Sequence, residues 1–218
     1  MRLYIKLSRN KELVRFDYQR FLVGALHKWL GENSEHDALS MYSLSWLSGG
    51  KGTNKGLDFP YGAEWFISSY DINFIKKVIN GVRNDAEIAF GMKVTELTVD
   101  DTPDFGRTQR FTLASPIFIK RTIEEREKHF TFNDVEADSL MTQTLKHKLD
   151  KAGLDSKGIS IQFDRNYAKA KTILCTYGKI KNKANYCPII IEGSPEQIAF
   201  AWNVGIGNST GIGFGSLI

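Results

Sequence analysis

Strand-like and helix-like patterns follow one another in the order β-α-β-β-α-β twice along this chain of 218 residues. In the first half, strands are predicted at 2–7, 39–48, 62–70 and 87–99, with helices from Asp17 to Glu32 and after Asp71. This element order is typical of a ferredoxin-like unit.

The second half repeats the order. Its predicted strands lie at 110–121 (interrupted by Pro116), 158–164, 171–178 and 188–193, with a short last strand in GFGSLI. One helix is predicted from Asn133 or Asp134 to Gly153, and another starts at Ser194 with a capping box closed by Gln197. The fold class is therefore predicted as α+β, with two tandem ferredoxin-like (RRM-like) domains. They span 1–105 and 106–218, and the boundary falls in DDTPDFGR.

Composition limits the class of protein. Apolar residues make up 42% and aromatic residues 12%, which supports a packed core and argues against disorder. No apolar run approaches the roughly 18 residues of a membrane span, and MRLYIKLSRNKEL lacks the apolar region of a signal peptide. Cys175 and Cys187 form no metal-binding or disulfide pattern, which fits a reducing compartment. We expect a cytoplasmic protein with no metal, no cofactor and no membrane partner.

A basic stretch runs from Arg165 to Lys183 and contains no acidic residue. Its cationic members are Arg165, Lys169, Lys171, Lys179, Lys181 and Lys183. Tyr167 and Tyr177 are interleaved with them, and such side chains can neutralise phosphates and stack on bases. The alternative is a solvated hairpin whose lysines protect an edge strand. Both interpretations stay open on this pattern alone.

The chain ends in the glycine-rich stretch GIGNSTGIGFGSLI, residues 205–218. No lysine follows the glycines, so the stretch is not a P-loop. Thr210 stands where the dinucleotide fingerprint needs its third glycine, and the stretch follows a helix rather than a strand. Either its backbone amides approach an anionic chain, or the stretch is a tight turn without a ligand.

The spacing Gly205-Ile-Gly207, five residues, then Gly213-Phe-Gly215, placed after a helix at the C-terminus, resembles the CRISPR-associated endoribonucleases of the sixth Cas family. That family belongs to the repeat-associated RNA-binding superfamily (RAMP), and the resemblance implies a prokaryotic protein. The strand MRLYIKL, the helix segment FLVGALHKWL, a histidine before the strand at 41–45, and Leu113-Ala-Ser-Pro-Ile117 agree in the same order. The resemblance implies metal-independent cutting of precursor CRISPR RNA within each repeat. The ribose 2′-hydroxyl would attack the adjacent phosphate and leave a 2′,3′-cyclic phosphate and a 5′-hydroxyl.

The resemblance places His36 and His27 as candidate catalytic residues, and Tyr42 is a further candidate because its hydroxyl could donate a hydrogen bond. Histidine can donate or accept a proton near neutral pH, and His36 lies beside Glu35 and Asp37 in NSEHDALS. The alternatives are solvated histidines and a packed aromatic ring at Tyr42. Some relatives carry a lysine shortly before the strand at 41–45, where this chain has Leu39 and Ser40. Charge stabilisation would then come from elsewhere, with Lys51 and Lys55 as candidates.

The expected RNA contacts are the basic run, the glycine stretch and two further cations. These residues are Arg20, Lys51, Arg165, Lys169, Lys171, Lys179, Lys181, Lys183, Gly205, Gly207, Asn208, Ser209, Thr210, Gly213 and Gly215. The implied partner is CRISPR repeat RNA, precursor and mature; other Cas effector subunits and a homodimer are left open. Two rival functions remain: a non-catalytic repeat-RNA-binding subunit of an effector complex, and a binding protein for a small anionic ligand or for protein contacts.

Overall fold

The structure is a computed structural model, and it describes residues 1–31 and 39–218. Within them the chain is a mixed α+β protein with antiparallel sheets. The helices are α1 Gln19–Leu30, α2 Ile72–Asn84, α3 Ala137–Lys151 and α4 Pro195–Val204. The strands of the N-terminal half are β1 Arg2–Leu7, β2 Tyr42–Leu44, β3 Lys51–Gly52, β4 Leu57–Asp58, β5 Ala63–Ser69 and β6 Val94–Asp100. Those of the C-terminal half are β7 Thr108–Phe111, β8 Lys120–Ile123, β9 Arg126–His129, β10 Ser160–Phe163, β11 Lys171–Tyr177, β12 Ile180–Tyr186 and β13 Ile189–Glu192.

A four-stranded antiparallel sheet forms the centre of the N-terminal half, with the order β2-β5-β1-β6. The first strand therefore lies between β5 and β6, and its Ile5 pairs with Trp65 and Leu97. Helices α1 and α2 pack on one another so closely that a side chain at Gly81 would overlap the backbone of Trp29. Trp29 and Trp65 then lie in one buried cluster with a ring separation of 6.0 Å.

The C-terminal half has a three-stranded sheet of order β10-β13-β7. Residue 217 forms an isolated antiparallel bridge with Leu113, so the end of the chain extends the same edge. Strands β11 and β12 form a hairpin of their own, with Lys171 opposite Tyr186 at its base. A separate core beneath α3 and α4 includes Met141, Leu145 and Phe200.

Local signals located two of the four helix starts. Asp71 caps α2 by accepting the amide proton of Asn73, and Ser194 and Gln197 form the predicted capping box of α4. The prediction that Asp17 caps α1 is wrong: the N-cap is Tyr18, and the Asp17 carboxylate pairs with Arg15 and Arg20 instead.

Strand boundaries were predicted less well. The strand expected at 87–99 begins at Val94, because Phe90 and Gly91 form a turn with φ values of 57° and 70°. The strand expected at 110–121 is regular only to Phe111 and resumes at Lys120 as the first arm of a hairpin. The start predicted for α3 at Asn133 or Asp134 is also wrong, since its N-cap is Glu136.

Candidate functional site

The glycine-rich stretch is ordered and buried between the two halves of the protein. It follows α4, whose C-cap is Gly205, and contains one short 3-10 turn at Thr210–Ile212. Gly205, Gly207, Gly213 and Gly215 have φ values of 72°, 81°, 94° and 66°. The stretch is therefore a packed junction rather than a flexible tail.

Two of these glycines allow backbone to approach backbone. A Cβ at Gly207 would overlap the carbonyl oxygen of Phe118, and one at Gly215 would overlap that of Ile206. Hydrogen bonds hold the backbone together at Gly215. The Ile206 amide donates to the Gly215 carbonyl oxygen, and the Gly215 amide donates to the Pro116 carbonyl oxygen. A side chain at either glycine would therefore require the loop to open.

The junction is bound to β2 of the N-terminal half. Thr210 donates its hydroxyl proton to the Tyr42 carbonyl oxygen at 2.9 Å, and the Ser43 and Ser216 hydroxyls are 3.3 Å apart. Just beyond β2, the Trp46 indole donates to the Gly213 carbonyl oxygen at 2.7 Å. These contacts fix the strand that directly follows the segment carrying His36.

A buried lysine supports the junction from the other side. Lys148 of α3 is 2% exposed, and its ammonium group donates to the Val204 carbonyl oxygen at 3.0 Å and to the Thr210 hydroxyl at 2.8 Å. Burial lowers the pKa of Lys148 to about 7. Lys148 was not among the predicted site residues, although the sequence holds a signal for its burial: it continues the apolar stripe of Met141 and Leu145 at helical spacing.

The three polar residues of the stretch that were predicted to contact RNA, at 208–210, differ in their exposure to solvent. Thr210 is 1% exposed and its hydroxyl is used as described above, which contradicts its predicted role as a donor to RNA. The Asn208 side-chain oxygen accepts from the Lys120 amide at 2.9 Å and from Arg121 at 3.3 Å. Ser209 is half-buried in a left-handed conformation with φ of 61°. Asn208 and Ser209 remain the polar side chains of the stretch nearest to solvent.

The candidate catalytic residues are only partly located. His36 lies outside the described residues. His27 is half-buried in the last turn of α1, where its carbonyl oxygen accepts from the Gly31 amide. The Tyr42 ring is 2% exposed and stacks on Phe74 with a centroid separation of 4.5 Å, which favours the packed-aromatic alternative over a role in proton transfer.

The hairpin of β11 and β12 carries exposed cations. Lys171, Lys179, Lys181 and Lys183 are exposed, as is Lys169 before it, and none of the five forms an ion pair with another described residue. The amide of Lys183 also donates to the His129 ring at 3.3 Å, so β9 supports this arm. The predicted cationic hairpin is therefore present as a surface that can meet a polyanion.

The other predicted RNA-binding cations differ in environment. Arg165 donates to Asp138 at 2.7 Å and to the Phe132 carbonyl oxygen at 2.8 Å, so its guanidinium group stabilises the fold. Arg20 pairs with Asp17 at 3.3 Å and remains exposed. Lys51 is exposed on the small hairpin of β3 and β4.

Metal-binding side chains are not clustered in the described part of the chain, where no three His, Cys, Asp or Glu residues form a group that could hold an ion. Within residues 1–31 and 39–218, no helix is both long and apolar enough to cross a bilayer.

Comparisons with known proteins place these features in a family context. The family model described as CRISPR associated protein Cas6, C-terminal, matches residues 100–217, which is more than half of the chain. No curated protein matches it in sequence.

Solved structures share the whole fold at low identity. A RAMP protein binding different RNA substrates superposes with a TM-score of 0.87 at 20% identity, over 100% of this chain and 99% of that one. A Cas6-related protein from Pyrococcus furiosus gives 0.86 at 18%, over 100% and 97%. A Cas6 product complex gives 0.70 at 13%, over 100% and 99%. At these identities the likeness shows the fold alone.

Proposed function

The chain belongs to the Cas6 family of CRISPR-associated proteins, and from this premise we propose that it is a metal-independent endoribonuclease that cuts precursor CRISPR RNA within its repeats. The observation that carries the proposal is the glycine-rich junction, which is bound to β2 immediately after the segment that contains His36. One structural relative is described as a product complex and another as an RNA binder, which supports a nucleic-acid substrate.

We further propose that each half is a ferredoxin-like domain, one at 1–105 and the other at 106–218. Support comes from the sheet order β2-β5-β1-β6, in which the first strand is flanked by the third and fourth of the β-α-β-β-α-β unit. The order β10-β13-β7, with residue 217 bridged beside Leu113, is the equivalent arrangement in the second half.

In the proposed reaction, a base removes the proton of the ribose 2′-hydroxyl, and the resulting oxygen attacks the adjacent phosphorus atom. The bond from phosphorus to the 5′-oxygen breaks, and an acid protonates the leaving oxygen. The products carry a 2′,3′-cyclic phosphate and a 5′-hydroxyl. His36 and His27 supply the base and the acid, without an assignment of which does which, because imidazole serves either role near neutral pH.

Binding is proposed to use the junction and the cationic hairpin together. The lysines of β11, β12 and their turn would neutralise phosphates of precursor and mature repeat RNA. A-form stems hide the base edges in their deep major groove, so the hairpin would read backbone, shape and unpaired bases.

The test is cleavage of repeat RNAs from the genome that encodes the chain, with EDTA present throughout. Wild type should cut within the repeat. His36→Ala should abolish cutting while binding is retained, and His27→Ala should slow cutting by about 10²-fold, the usual scale for loss of an acid or base. His147→Ala is the matched control, because this histidine is exposed on α3 and should leave the rate unchanged.

Three outcomes would contradict the proposal. Loss of cutting in EDTA would show that the reaction depends on a metal ion. Full activity of His36→Ala would remove its assignment. Tight repeat binding by a wild type that cuts no repeat would favour the rival function, a non-catalytic RNA-binding subunit.

A further inference from the structure

A cleft of about 800 Å³ lies beside the glycine-rich junction and plays no part in the proposed chemistry. It opens between the segment before α1, the loop that follows β2 and strand β11. Its walls combine cationic, aromatic, amide and aliphatic side chains, chiefly Arg15, Phe16, Gln19, Trp46, Lys55 and Leu174. This mixture suits a ligand with an aromatic part and a negative charge.

Gln19 is the most informative residue of the cleft. It is the first residue of α1 and only 9% exposed, yet its side-chain amide forms no hydrogen bond with any described residue. Its amide nitrogen and oxygen are not among the buried unpartnered atoms of the described residues, so the amide is accessible from the cleft that it lines. Its oxygen can accept one or two protons and its nitrogen can donate two, which is the pattern needed to bind the edge of a nucleobase.

Two apolar side chains are exposed at the same place. Phe16 is 59% exposed and Leu174 is 62% exposed, and both line the cleft. They belong to opposite halves of the protein, so each half contributes an exposed apolar side chain to the cleft wall. Stacking of a base on an aromatic side chain contributes about 1–3 kcal/mol and tolerates any base.

The charge of the cleft favours a phosphate. Among its described lining residues Asp17 is the only acidic one, and its carboxylate pairs with Arg15 at 2.8 Å and Arg20 at 3.3 Å. The hydrogen bond from Arg15 keeps the pKa of Asp17 below its usual range. Lys55 forms no ion pair with another described residue, so a net positive charge remains.

The cleft is continuous with the junction. The indole of Trp46, which lines the cleft, donates to the Gly213 carbonyl oxygen. A Cβ placed on Gly213 would lie 3.6 Å from Cγ of Gln19. A chain that passes over the glycine-rich stretch therefore reaches the cleft without crossing another element.

We propose that this cleft binds one unpaired nucleotide of the RNA, with its base stacked on Phe16, the base edge hydrogen-bonded to the Gln19 amide, and a neighbouring phosphate beside Lys55. The inference rests on the proposed function, because it assumes that RNA lies along the junction. It adds a nucleotide subsite formed jointly by the two halves, outside the residues expected to carry the chemistry.

The experiment measures binding of repeat RNAs in which single bases are removed, or replaced by each of the other three, one position at a time, together with a scrambled RNA of the same length. The variants are Phe16→Ala, which removes the stacking ring, and Gln19→Met, which keeps the side-chain length but removes the amide. Tyr61→Ala is the matched control, because Tyr61 is 93% exposed and lies outside the cleft. Phe16 and Tyr61 are exposed, so neither change should impair folding.

We expect base removal at one position to weaken wild-type binding by about 5- to 150-fold, the range that corresponds to one stacked base. Phe16→Ala should weaken binding of the intact repeat similarly and abolish the sensitivity at that position. Gln19→Met should reduce the preference among the four bases there. Tyr61→Ala should behave as the wild type in all three respects.

The inference is overturned if Phe16→Ala binds every RNA with wild-type affinity. It is also overturned if the loss of affinity caused by Phe16→Ala and the loss caused by base removal add in full when the two changes are combined. Either result leaves the proposed function intact if the wild type still selects and cuts the repeat. Conversely, a wild type that binds repeat and scrambled RNA equally would refute the proposed function. In that case the affinity of Phe16→Ala would still test the stacking contact, because stacking on an aromatic ring does not depend on base sequence.

Discussion

Replacing Gly215 by alanine should destabilise the protein by about 2–5 kcal/mol. Part of the cost is conformational, because Gly215 has a φ of 66° and a left-handed conformation costs an L-residue about 1–2 kcal/mol. The rest is steric, because the new Cβ would overlap the Ile206 carbonyl oxygen, and overpacking of a tight interior typically costs about 1–3 kcal/mol. The Ile206 backbone cannot move away freely, since its amide donates to the Gly215 carbonyl oxygen at 2.8 Å.

Urea denaturation of wild type and variant measures this loss, and a shift of the midpoint by about 1–2 M is expected with little change in slope. Gly153→Ala is the matched control. Gly153 has a φ of 74° with nothing within 4 Å of an added Cβ, so it bears the conformational cost alone. If both variants lose the same free energy, the close approach at Gly215 contributes nothing and the account of the packed junction is refuted.

Two further predictions concern lysines. Burial lowers the pKa of Lys148 to about 7, so from about pH 7 to 9.5 the unfolded chain holds a proton that the folded chain has lost. The free energy of unfolding of the wild type, relative to that of Lys148→Met, should therefore rise with pH by up to about 1.4 kcal/mol per pH unit. If urea denaturation shows no change in this difference over the range, the burial of an uncharged amine is contradicted. Replacing Lys179, Lys181 and Lys183 together by alanine should weaken RNA binding and lower the salt slope by about 2, from roughly 0.7 per phosphate contact on a single strand, while the cutting rate of saturated complex changes little. Changing the exposed Lys76 and Lys77 of α2 is the control, and an unaltered slope in the hairpin variant would remove the hairpin from the RNA site.

Sequence reasoning succeeded where the deciding contact is local. The caps at Asp71 and Ser194 depend on residues two or three positions away, so their spacing is visible in the chain. The hairpin of β8 and β9 was missed because its turn uses Glu124 and Glu125 with φ values of 49° and 63°. Glutamate gives no turn signal, because Gly, Pro, Asn, Asp and Ser are the residues that mark turns.

The candidate site shows the same division. The glycine spacing indicated an ordered junction and a family, but not what the junction touches. Its contact between Ser43 and Ser216 joins residues 173 positions apart, and no local pattern encodes it. Thr210 was assigned to RNA because it is a polar residue among glycines, whereas packing of α3 beneath the loop places Lys148 and the β2 backbone around its hydroxyl.

The proposed chemistry depends most directly on the ribose 2′-hydroxyl as the nucleophile. The decisive measurement uses a repeat RNA with a single 2′-deoxynucleotide immediately before the cut, incubated with the wild-type chain in EDTA. The account predicts binding equal to that of the unmodified repeat, no cleavage, and a 2′,3′-cyclic phosphate end on the unmodified product. Cleavage of the deoxy substrate at the same site would contradict the account.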